Sequence, residues 1–326
     1  MTLDSGTLRL GILGAARVAT YAMIAPARDV DGVIVQAVVA RDPERANAYA
    51  AEHGIPKTYP DYQALIEADD VDAIYVALPP NLHAHWSIAS LKAGKPVLCE
   101  KPFALSSADV EAMLAAEAAS GLLLMEAQHS HYHPLSARMR EIVASGQLGE
   151  IERVETAFDV AVPHTPSEIR YDPAVGGGAI WDLGIYPLHW AHSALGEGLS
   201  VVSASQRLAP GGADVETKAE LVSQSGIEIS LSCTMDAPFR AFIRFIGSQG
   251  RLTINNPIAP QHGHSFLFTS EREEWEEKFT LKPTYAYQLE AFRDAVIAGA
   301  SIPTRGSVSL TEIGLLEQIC ARATKD

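Results

Sequence analysis

A glycine-containing turn near the start of the chain has the residue types and spacing of a diphosphate-binding loop. Gly14, Ala16 and Ala19 follow an apolar run and open a predicted helix. This order of strand, turn and helix is the context in which a Gly-x-Gly-x-x-Gly fingerprint binds dinucleotides. The backbone N–H groups at the helix start, around Arg17 and Val18, would bind the diphosphate. The alternative interpretation is a tight turn that packs well and binds nothing.

The end of the second apolar run bears on the choice between the two nicotinamide dinucleotides. An acidic residue at this strand tip would bind the ribose hydroxyls of NAD and repel the 2′-phosphate of NADP. Here the tip is Ala40, followed by Arg41, whose guanidinium offers a fork to a phosphate. The sequence therefore favours NADP. Two alternatives stay open: a register slip would make Asp42 the ribose partner and return NAD, or Arg41 is a solvated loop charge.

Two further strand tips carry residues that could contact a bound ligand. One tip spans residues 77–83 and the other spans residues 97–102. In a parallel sheet both tips lie at the carboxyl edge, where ligands of such folds bind. We therefore expect cofactor contacts from Leu78, Pro79, Asn81, His83, Glu100 and Lys101.

The first 126 residues alternate short apolar runs with helical patterns. Apolar runs without polar alternation are typical of strands buried on both faces. Strands that alternate with helices predict a parallel, doubly wound sheet, so we expect a Rossmann-type dinucleotide-binding domain over residues 1–126. The predicted strands are 8–13, 33–40, 73–77, 96–99 and 122–127, and the predicted helices are 17–25, 43–53, 62–67, 83–93 and 108–120.

The pattern changes after Glu126. Long stretches that alternate apolar and polar residues predict a large, mainly antiparallel sheet with one open face, in an α+β domain over residues 127–326. A helix, the first domain or another subunit could cover its apolar face. The last predicted helix can pack back on the first domain. The predicted strands are 151–162, 201–208, 218–225, 227–235, 241–246 and 251–254, and the predicted helices are 134–145, 286–298 and 310–324.

Composition limits the classes of partner. The 326 residues are 47% hydrophobic, and 25 Lys and Arg against 40 Asp and Glu give a net charge of −15. Such an acidic surface repels nucleic acids and anionic membranes, so neither is an expected partner. The three cysteines lie far apart, which predicts neither a disulfide framework nor a zinc motif. No signal peptide or membrane-spanning run is evident, so we expect a cytoplasmic protein.

Three sequence blocks together resemble one protein family. The glycine turn, the Pro-Asn-x-His and Glu-Lys-Pro tips, and residues 176–186 (Gly-Gly-Gly-Ala-Ile-Trp-Asp-Leu-Gly-Ile-Tyr) are similar to the Gfo/Idh/MocA family, the glucose–fructose oxidoreductase and inositol dehydrogenase type. The resemblance covers essentially the whole chain. It implies an NAD(P)-dependent oxidoreductase acting on a sugar, ketosugar or small cyclic polyol, and a homodimer or homotetramer formed through the C-terminal sheet.

The resemblance also implies roles for individual residues. Lys101 would contact both nicotinamide and substrate, Asp182 would orient the substrate hydroxyl or Lys101, and Tyr186 would be the acid or base. Tyrosine at this position resembles the branch with dimeric dihydrodiol dehydrogenase and NADP-dependent xylose dehydrogenase, whereas inositol dehydrogenases usually carry histidine. We expect further substrate contacts from Tyr132, Arg170 and Trp181.

The residue types suit this chemistry. Oxidising an alcohol removes a hydride, which the cofactor takes, and a proton, which the protein must handle. A free tyrosine has a pKa of about 10, too high for an efficient base near neutrality. A nearby ammonium lowers the pKa of a phenol. Tyr186 beside Lys101 would therefore transfer the proton, while Lys101 polarises the carbonyl oxygen.

The histidines left several interpretations open. His129, His131 and His133 alternate along a predicted strand, which would place them on one face. Such a triplet can bind zinc, but we predict no metal and expect sugar contacts or packing instead. His131 stands where family members often have arginine, which leaves substrate choice open.

Two other functions remain possible for this fold, an NAD-dependent redox glycosidase and a non-catalytic dinucleotide-sensing regulator.

Overall fold

The computed structural model describes residues 6–165, 167–196 and 198–325. These residues divide into two compact units. The first is drawn from Met1–His129 and Tyr285–Leu310, and the second from Ser130–Thr284 and Thr311–Asp326. The segment 285–310 therefore belongs with the N-terminal unit, although it lies near the end of the chain. Among the described helices, none is long and apolar enough to cross a membrane.

The first unit is built on a six-stranded parallel sheet with the strand order β3-β2-β1-β4-β5-β6. This is the order of dinucleotide-binding Rossmann sheets, so the predicted fold of this half is confirmed. The strands are β1 (Leu8–Leu13), β2 (Val33–Val39), β3 (Lys57–Thr58), β4 (Ala73–Val76), β5 (Val97–Cys99) and β6 (Leu124–Glu126). The helices are α1 (Arg17–Ala19, continued by a π turn over Thr20–Ile24), α2 (Pro43–His53), α3 (Tyr62–Ile66), α4 (His83–Lys92) and α5 (Ser107–Ser120).

Local sequence signals fix the ends of the helices in this unit. Asp42 caps α2 by accepting the N–H of Glu44, and Gly54 ends the helix in the left-handed conformation. Ser106 caps α5 in the same way by accepting the N–H of Asp109. The Asp42 cap starts α2 shortly after β2 ends and so fixes the path of the chain that follows Ala40 and Arg41.

The second unit contains a nine-stranded sheet with the order β14-β13-β12-β11-β7-β10-β9-β8-β15. Most pairs are antiparallel, as predicted, but β10 pairs with β7 and β15 pairs with β8 in parallel. Its elements include α6 (Pro134–Ser145), β7 (Ile151–Asp159), α7 (Ile185–Leu195), β8 (Ser200–Leu208), β9 (Asp214–Val222), β10 (Glu228–Thr234), β11 (Arg240–Gly247), β12 (Arg251–Asn255), β13 (Ser265–Thr269) and β14 (Glu274–Glu277). The chain then continues through α8 (Thr284–Ala298), α9 (Gly306–Arg322) and β15 (Ala323–Lys325).

The two faces of this sheet differ in polarity. The buried face carries apolar side chains such as Leu231, Ile243 and Phe245, and α7 packs across strands β7, β10 and β11. The other face carries mainly charged and hydroxyl side chains. The apolar face of the sheet is therefore covered by α7, a helix of the same unit, which was one of the alternatives considered from the sequence. The exposed face is mostly polar.

The expected strand through the histidine triplet is wrong. Residues His129–Tyr132 form a short 3-10 turn, and α6 begins at Pro134. His133 caps that helix by accepting the N–H of Leu135, and Pro134 stands at the first helical position, where its missing N–H would have had no partner within the helix. The three imidazoles consequently point to different surroundings and do not share one face.

Candidate functional site

The glycine turn brings the backbone that follows β1 close to the backbone that follows β4. Gly14 has a φ of +106°, and a Cβ placed on it would lie only 2.6 Å from the carbonyl oxygen of Ala77. Its N–H donates to the carbonyl of Val39 over 2.9 Å. Ala16 then precedes α1 and its side chain does not cap the helix. The turn thus has the glycine-dependent geometry that a bound diphosphate needs, so the residues fit a dinucleotide.

Two side chains of α2 brace this turn. Arg45 donates from Nη2 to the carbonyl of Ala15 over 2.8 Å, and the hydroxyl of Tyr49 donates to the carbonyl of Ala16 over 3.0 Å. Neither residue was predicted from the sequence. Their four-residue spacing places them on one face of α2, which is the signal that could have revealed them.

The residues predicted to discriminate between NADP and NAD follow the end of β2. Ala40 is buried and Arg41 is exposed. Arg41 also lies near Tyr62, whose pKa burial raises and Arg41 lowers in part. Asp42 uses a carboxylate oxygen to accept the N–H of Glu44 over 2.9 Å. Asp42 therefore has a capping role in this structure, beside the exposed side chain of Arg41.

A buried imidazole joins two of the strand tips. Leu78 is nearly buried, Pro79 is half-buried and Asn81 is exposed. The ring of His83 lies between the carbonyl oxygens of Leu78 and Pro102, each 2.8 Å from a ring nitrogen. Burial lowers the pKa of His83. Because both nitrogens face backbone carbonyls, His83 joins the two tips, and its predicted contact with the cofactor stays a prediction.

The segment around Lys101 is fixed by buried carboxylates. Glu100 accepts a 2.5 Å hydrogen bond from the hydroxyl of Tyr75. The carboxylate of Glu126, at the end of β6, accepts from the N–H of Phe103 over 3.2 Å and from the hydroxyl of Ser309 over 2.6 Å. Lys101 itself is half-buried at the tip of β5. No role was predicted for Glu126, although an acidic residue within an apolar run was a signal for one.

In the second unit, three of the predicted substrate residues lie at the start of α7. Trp181 and Asp182 are half-buried in the turn Ile180–Gly184 that leads into the helix. Tyr186 lies in its first turn and is 5% exposed. Its ring meets the edge of Phe158 at a centroid distance of 5.6 Å. The contact with Phe158 therefore fixes the orientation of the Tyr186 ring.

Arg170 joins this group from a preceding turn. Its guanidinium donates through Nε and Nη2 to the two carboxylate oxygens of Glu168, both over 2.8 Å. Its Nη1 lies 3.9 Å from a carboxylate oxygen of Asp182. The N–H of Gly178 also donates to the carbonyl of Arg170 over 2.9 Å. The structure thus brings Glu168, Arg170 and Asp182 into one charged cluster, in which Glu168 was not predicted.

The ring of Tyr132 meets that of His131, which belongs to a buried network of imidazoles. The Nδ1 of His131 is 2.8 Å from Nε2 of His189, whose Nδ1 is 2.9 Å from the carboxylate of Glu312. His192 approaches the same carboxylate through Nδ1 over 2.9 Å. Burial lowers the pKa of His131 to about 2. Burial raises the pKa of Glu312, but His189 and His192 outweigh it, so its pKa lies below the usual value.

The other two histidines of the triplet have separate surroundings. His129 stacks on Tyr285 with ring centroids 3.9 Å apart, and burial, followed by the charge of Lys101, lowers its pKa to about 3. His133 caps α6. In the described residues, no group of His, Cys, Asp and Glu is arranged to hold a metal ion.

Family comparison agrees with these features. Residues 8–128 match the Gfo/Idh/MocA model described as an oxidoreductase family with an NAD-binding Rossmann fold, and residues 136–253 match the C-terminal domain of the same family. The chain belongs to the Gfo/Idh/MocA family. The family predicted from the sequence blocks is therefore confirmed.

Relatives within the Gfo/Idh/MocA family have different substrates. The chain is 32% identical over 325 residues to a dTDP-3,4-didehydro-2,6-dideoxy-alpha-D-glucose 3-reductase of Actinomadura kijaniata, covering 97% of this chain and 96% of the relative. It is 33% identical over 294 residues to D-xylose 1-dehydrogenase (NADP(+)) 2 of Haloferax volcanii, covering 90% of each.

Solved structures of the family superpose closely on this fold. A 3-ketoreductase from Actinomadura kijaniata, in complex with NADP and TDP-benzene, has a TM-score of 0.91 at 30% identity over 98% of each chain. An aldose-aldose oxidoreductase from Caulobacter crescentus, complexed with glycerol, has a TM-score of 0.88 at 25% identity over 97% of each chain.

Proposed function

We propose that this protein is an NADP-dependent oxidoreductase that transfers hydride between the cofactor and a sugar, ketosugar or small cyclic polyol. The observation that carries the proposal is the common location of the Gly14 turn, the Arg41 tip and Lys101. All three lie at the carboxyl edge of one parallel sheet in a chain of this family. The NADP-dependent xylose dehydrogenase and the NADP complex of the 3-ketoreductase support this choice of cofactor.

The residues of the first unit would hold the cofactor. The backbone from Gly14 through Ala16, Arg17 and Val18 would bind the diphosphate, and the Ala40–Arg41 tip would take the 2′-phosphate. Leu78, Pro79, Asn81 and Lys101 would line the nicotinamide side, with His83, Glu100 and Glu126 holding those tips in place. When bound, NADP supplies the hydride acceptor or donor that the protein lacks.

The remaining chemistry falls to side chains. We assign Lys101 to polarising the reacting oxygen, Tyr186 to moving its proton, and Asp182 to orienting the substrate hydroxyl. Tyr132, Arg170 and Trp181 are proposed as contacts to the rest of the substrate. A panel of aldoses, ketosugars and trans-dihydrodiols, assayed with NADP and NAD by absorbance at the nicotinamide band, tests the function. Reduction of NADP by none of them would refute it.

Arg41→Ala should selectively weaken the use of NADP. Loss of a charge-assisted hydrogen bond costs about 1.5–3 kcal/mol, so we expect the KM for NADP to rise by roughly 10–150-fold. The KM for NAD should hardly change, because NAD lacks the 2′-phosphate. Steady-state kinetics with both cofactors measures this, and Arg28→Ala, which removes another exposed arginine, is the control. Equal losses with both cofactors would contradict the phosphate fork.

We also propose that the protein works in the cytoplasm as a homodimer or homotetramer formed through the exposed face of the nine-stranded sheet. Two guanidiniums, Arg240 and Arg244, each lie 5.6 Å from the centre of the Phe242 ring on this face. Such a polar face with one partly buried aromatic suits an interface of ion pairs and hydrogen bonds. Light scattering at micromolar concentration should give a multiple of 35.0 kDa. A mass of one chain would refute self-association.

A further inference from the structure

The helical segment that carries Asp182 and Tyr186 begins without a side-chain cap from its own sequence. The π turn Ile180–Gly184 runs directly into α7, and the side chain of Ala179, which precedes the turn, makes no capping hydrogen bond. The first N–H groups of a helix have no partner within the helix, and a buried N–H needs a partner from elsewhere. Ile180 is fully buried. Its N–H therefore needs an acceptor outside the segment.

Asp214, at the start of β9, supplies that acceptor. Its Oδ2 accepts the N–H of Ile180 over 2.8 Å, although the two residues are 34 positions apart in the sequence. A carboxylate at the N-terminal end of a helical segment is also favoured by the helix dipole. Asp214 therefore caps this segment from a distant element, whereas Asp42 caps α2 from the preceding position.

Two buried polar side chains hold the carboxylate of Asp214 in place. The hydroxyl of Thr217 donates to the same oxygen, Oδ2, over 2.6 Å, and Nε2 of Gln206 donates to Oγ1 of Thr217 over 3.1 Å. Asp214, Thr217 and Gln206 are 6%, 0% and 6% exposed. Burial raises the pKa of Asp214, and the hydrogen bonds from Thr217 and Ile180 lower it in part. Each donor in this chain points toward Asp214, so side chains of β8 and β9 fix its carboxylate as an acceptor.

Gly178 connects this carboxylate to residues of the candidate site. It has a φ of +138°, and a Cβ placed on it would overlap Oδ1 of Asp214. Its N–H donates to the carbonyl of Arg170 over 2.9 Å, and its own carbonyl accepts the N–H of Asp182 over 3.0 Å. The backbone at Arg170 and the backbone at Asp182 are therefore both bonded to a residue that packs against Asp214.

We propose that Asp214 is a positioning residue that anchors the start of the Ile180–Gly184 turn and thereby aligns Asp182 and Tyr186 with the substrate. The inference rests on the proposed function, in which those two side chains act on the substrate. We assign Asp214 no contact with the substrate, because its carboxylate is buried and bonded to Ile180 and Thr217. Misplacement of a reacting group by about 1 Å can lower a rate by about 100-fold, so such an anchor controls the rate of the reaction.

Variants of Asp214 test the proposal through kcat measured per folded protein. Asp214→Ala should lower kcat for sugar oxidation by about 100-fold, because the segment loses its acceptor. Asp214→Asn keeps an acceptor oxygen and should lose only about tenfold. The KM for NADP should not change in either variant, because the cofactor residues belong to the first unit. A lower unfolding midpoint with wild-type kcat per folded protein would overturn the proposal.

A matched pair of variants separates the anchor from a general loss of buried hydrogen bonds. Thr217→Val removes the hydroxyl that donates to Asp214, whereas Thr234→Val removes a buried hydroxyl of β10 that donates to the carbonyl of Val215 over 2.9 Å. Both variants should unfold at a lower urea concentration than wild type. Only Thr217→Val should lower kcat per folded protein, by about tenfold. Equal values of kcat in the two variants would contradict the proposal.

Hydrogen exchange followed by mass spectrometry tests the anchor without any substrate. Peptides that cover residues 178–186 should exchange faster in Asp214→Ala than in wild type, and at the wild-type rate in Thr234→Val. Unchanged exchange of these peptides in Asp214→Ala would overturn the proposal. If Asp214→Ala does not fold, Asp214→Asn and Thr217→Val take its place in the comparison. If the wild type oxidises no sugar, the proposed function fails, and the exchange rates still decide whether Asp214 anchors the turn.

Discussion

Tyr186→Phe should lower kcat for sugar oxidation by roughly 10²–10⁴-fold, the usual scale of general acid–base catalysis. The change keeps the ring that packs against Phe158 and removes the hydroxyl to which we assign proton transfer. The ionisation that governs kcat/KM in the wild type should disappear from the pH profile. NADP affinity should survive, because Tyr186 belongs to the second unit and the cofactor residues belong to the first.

Lys101→Ala should cause a loss of similar size. It removes the charge that polarises the reacting oxygen and favours ionisation of the phenol. If Lys101 and Tyr186 act as one unit, the double variant should be little worse than either single variant. NADP affinity is expected to fall for Lys101→Ala, since this side chain is assigned to the nicotinamide as well.

A matched control separates the role of the hydroxyl from a general effect of losing a phenol. Tyr59→Phe removes a phenolic hydroxyl that is bonded to Asp70, a residue that precedes β4, and should retain kcat. If Tyr186→Phe kept more than about half of wild-type kcat with an unchanged pH profile, Tyr186 would be a packing residue. Proton transfer would then depend on Lys101.

Glu312→Ala should lower the free energy of unfolding by about 3–5 kcal/mol. The carboxylate is fully buried and binds the imidazoles of His189 and His192, so its removal leaves buried N–H groups without partners and opens a cavity. Urea unfolding at neutral pH measures the change as a lower midpoint. Because the two imidazoles lie on α7, loosening of the helix that carries Tyr186 should accompany the loss.

A control variant for Glu312→Ala is available on α9, the helix that carries Glu312. Gln318→Ala replaces an exposed side chain of α9 and should change the free energy of unfolding by less than about 0.5 kcal/mol. An unfolding midpoint for Glu312→Ala equal to that of wild type would show that the imidazole network does not stabilise the second unit.

The parts of the fold that local sequence determines were predictable. The helix α2 begins at Pro43 after the Asp42 cap, and the alternation within β10 identifies its buried face. The edge strand β14 was missed because its sequence, Glu-Trp-Glu-Glu, is too charged to suggest a strand. The short strand β15 was missed because its pairing with β8 joins residues more than a hundred positions apart.

The residue types of the candidate site could be predicted from the sequence, but most of the contacts between their side chains could not. The strand tips, Asp182 and Tyr186 follow from motifs, but helix α7 was not predicted and the partner of Arg170 depends on the turn that brings Glu168 back onto it. Likewise, the pairing of His131 and His189, 58 residues apart, leaves no periodic signal in either segment. The histidine triplet was misplaced because alternation was given more weight than the helix start at Pro134.

The most direct test follows the hydride itself. A sugar that reduces NADP in the panel is prepared with deuterium at the carbon to be oxidised, and the NADPH formed is analysed by mass spectrometry. We expect each NADPH molecule to carry one deuterium, because the hydride passes directly from the sugar to the nicotinamide. The amount of NADPH formed should equal the amount of oxidised sugar. NADPH without deuterium, or release of an aglycone with no net NADPH, would contradict it.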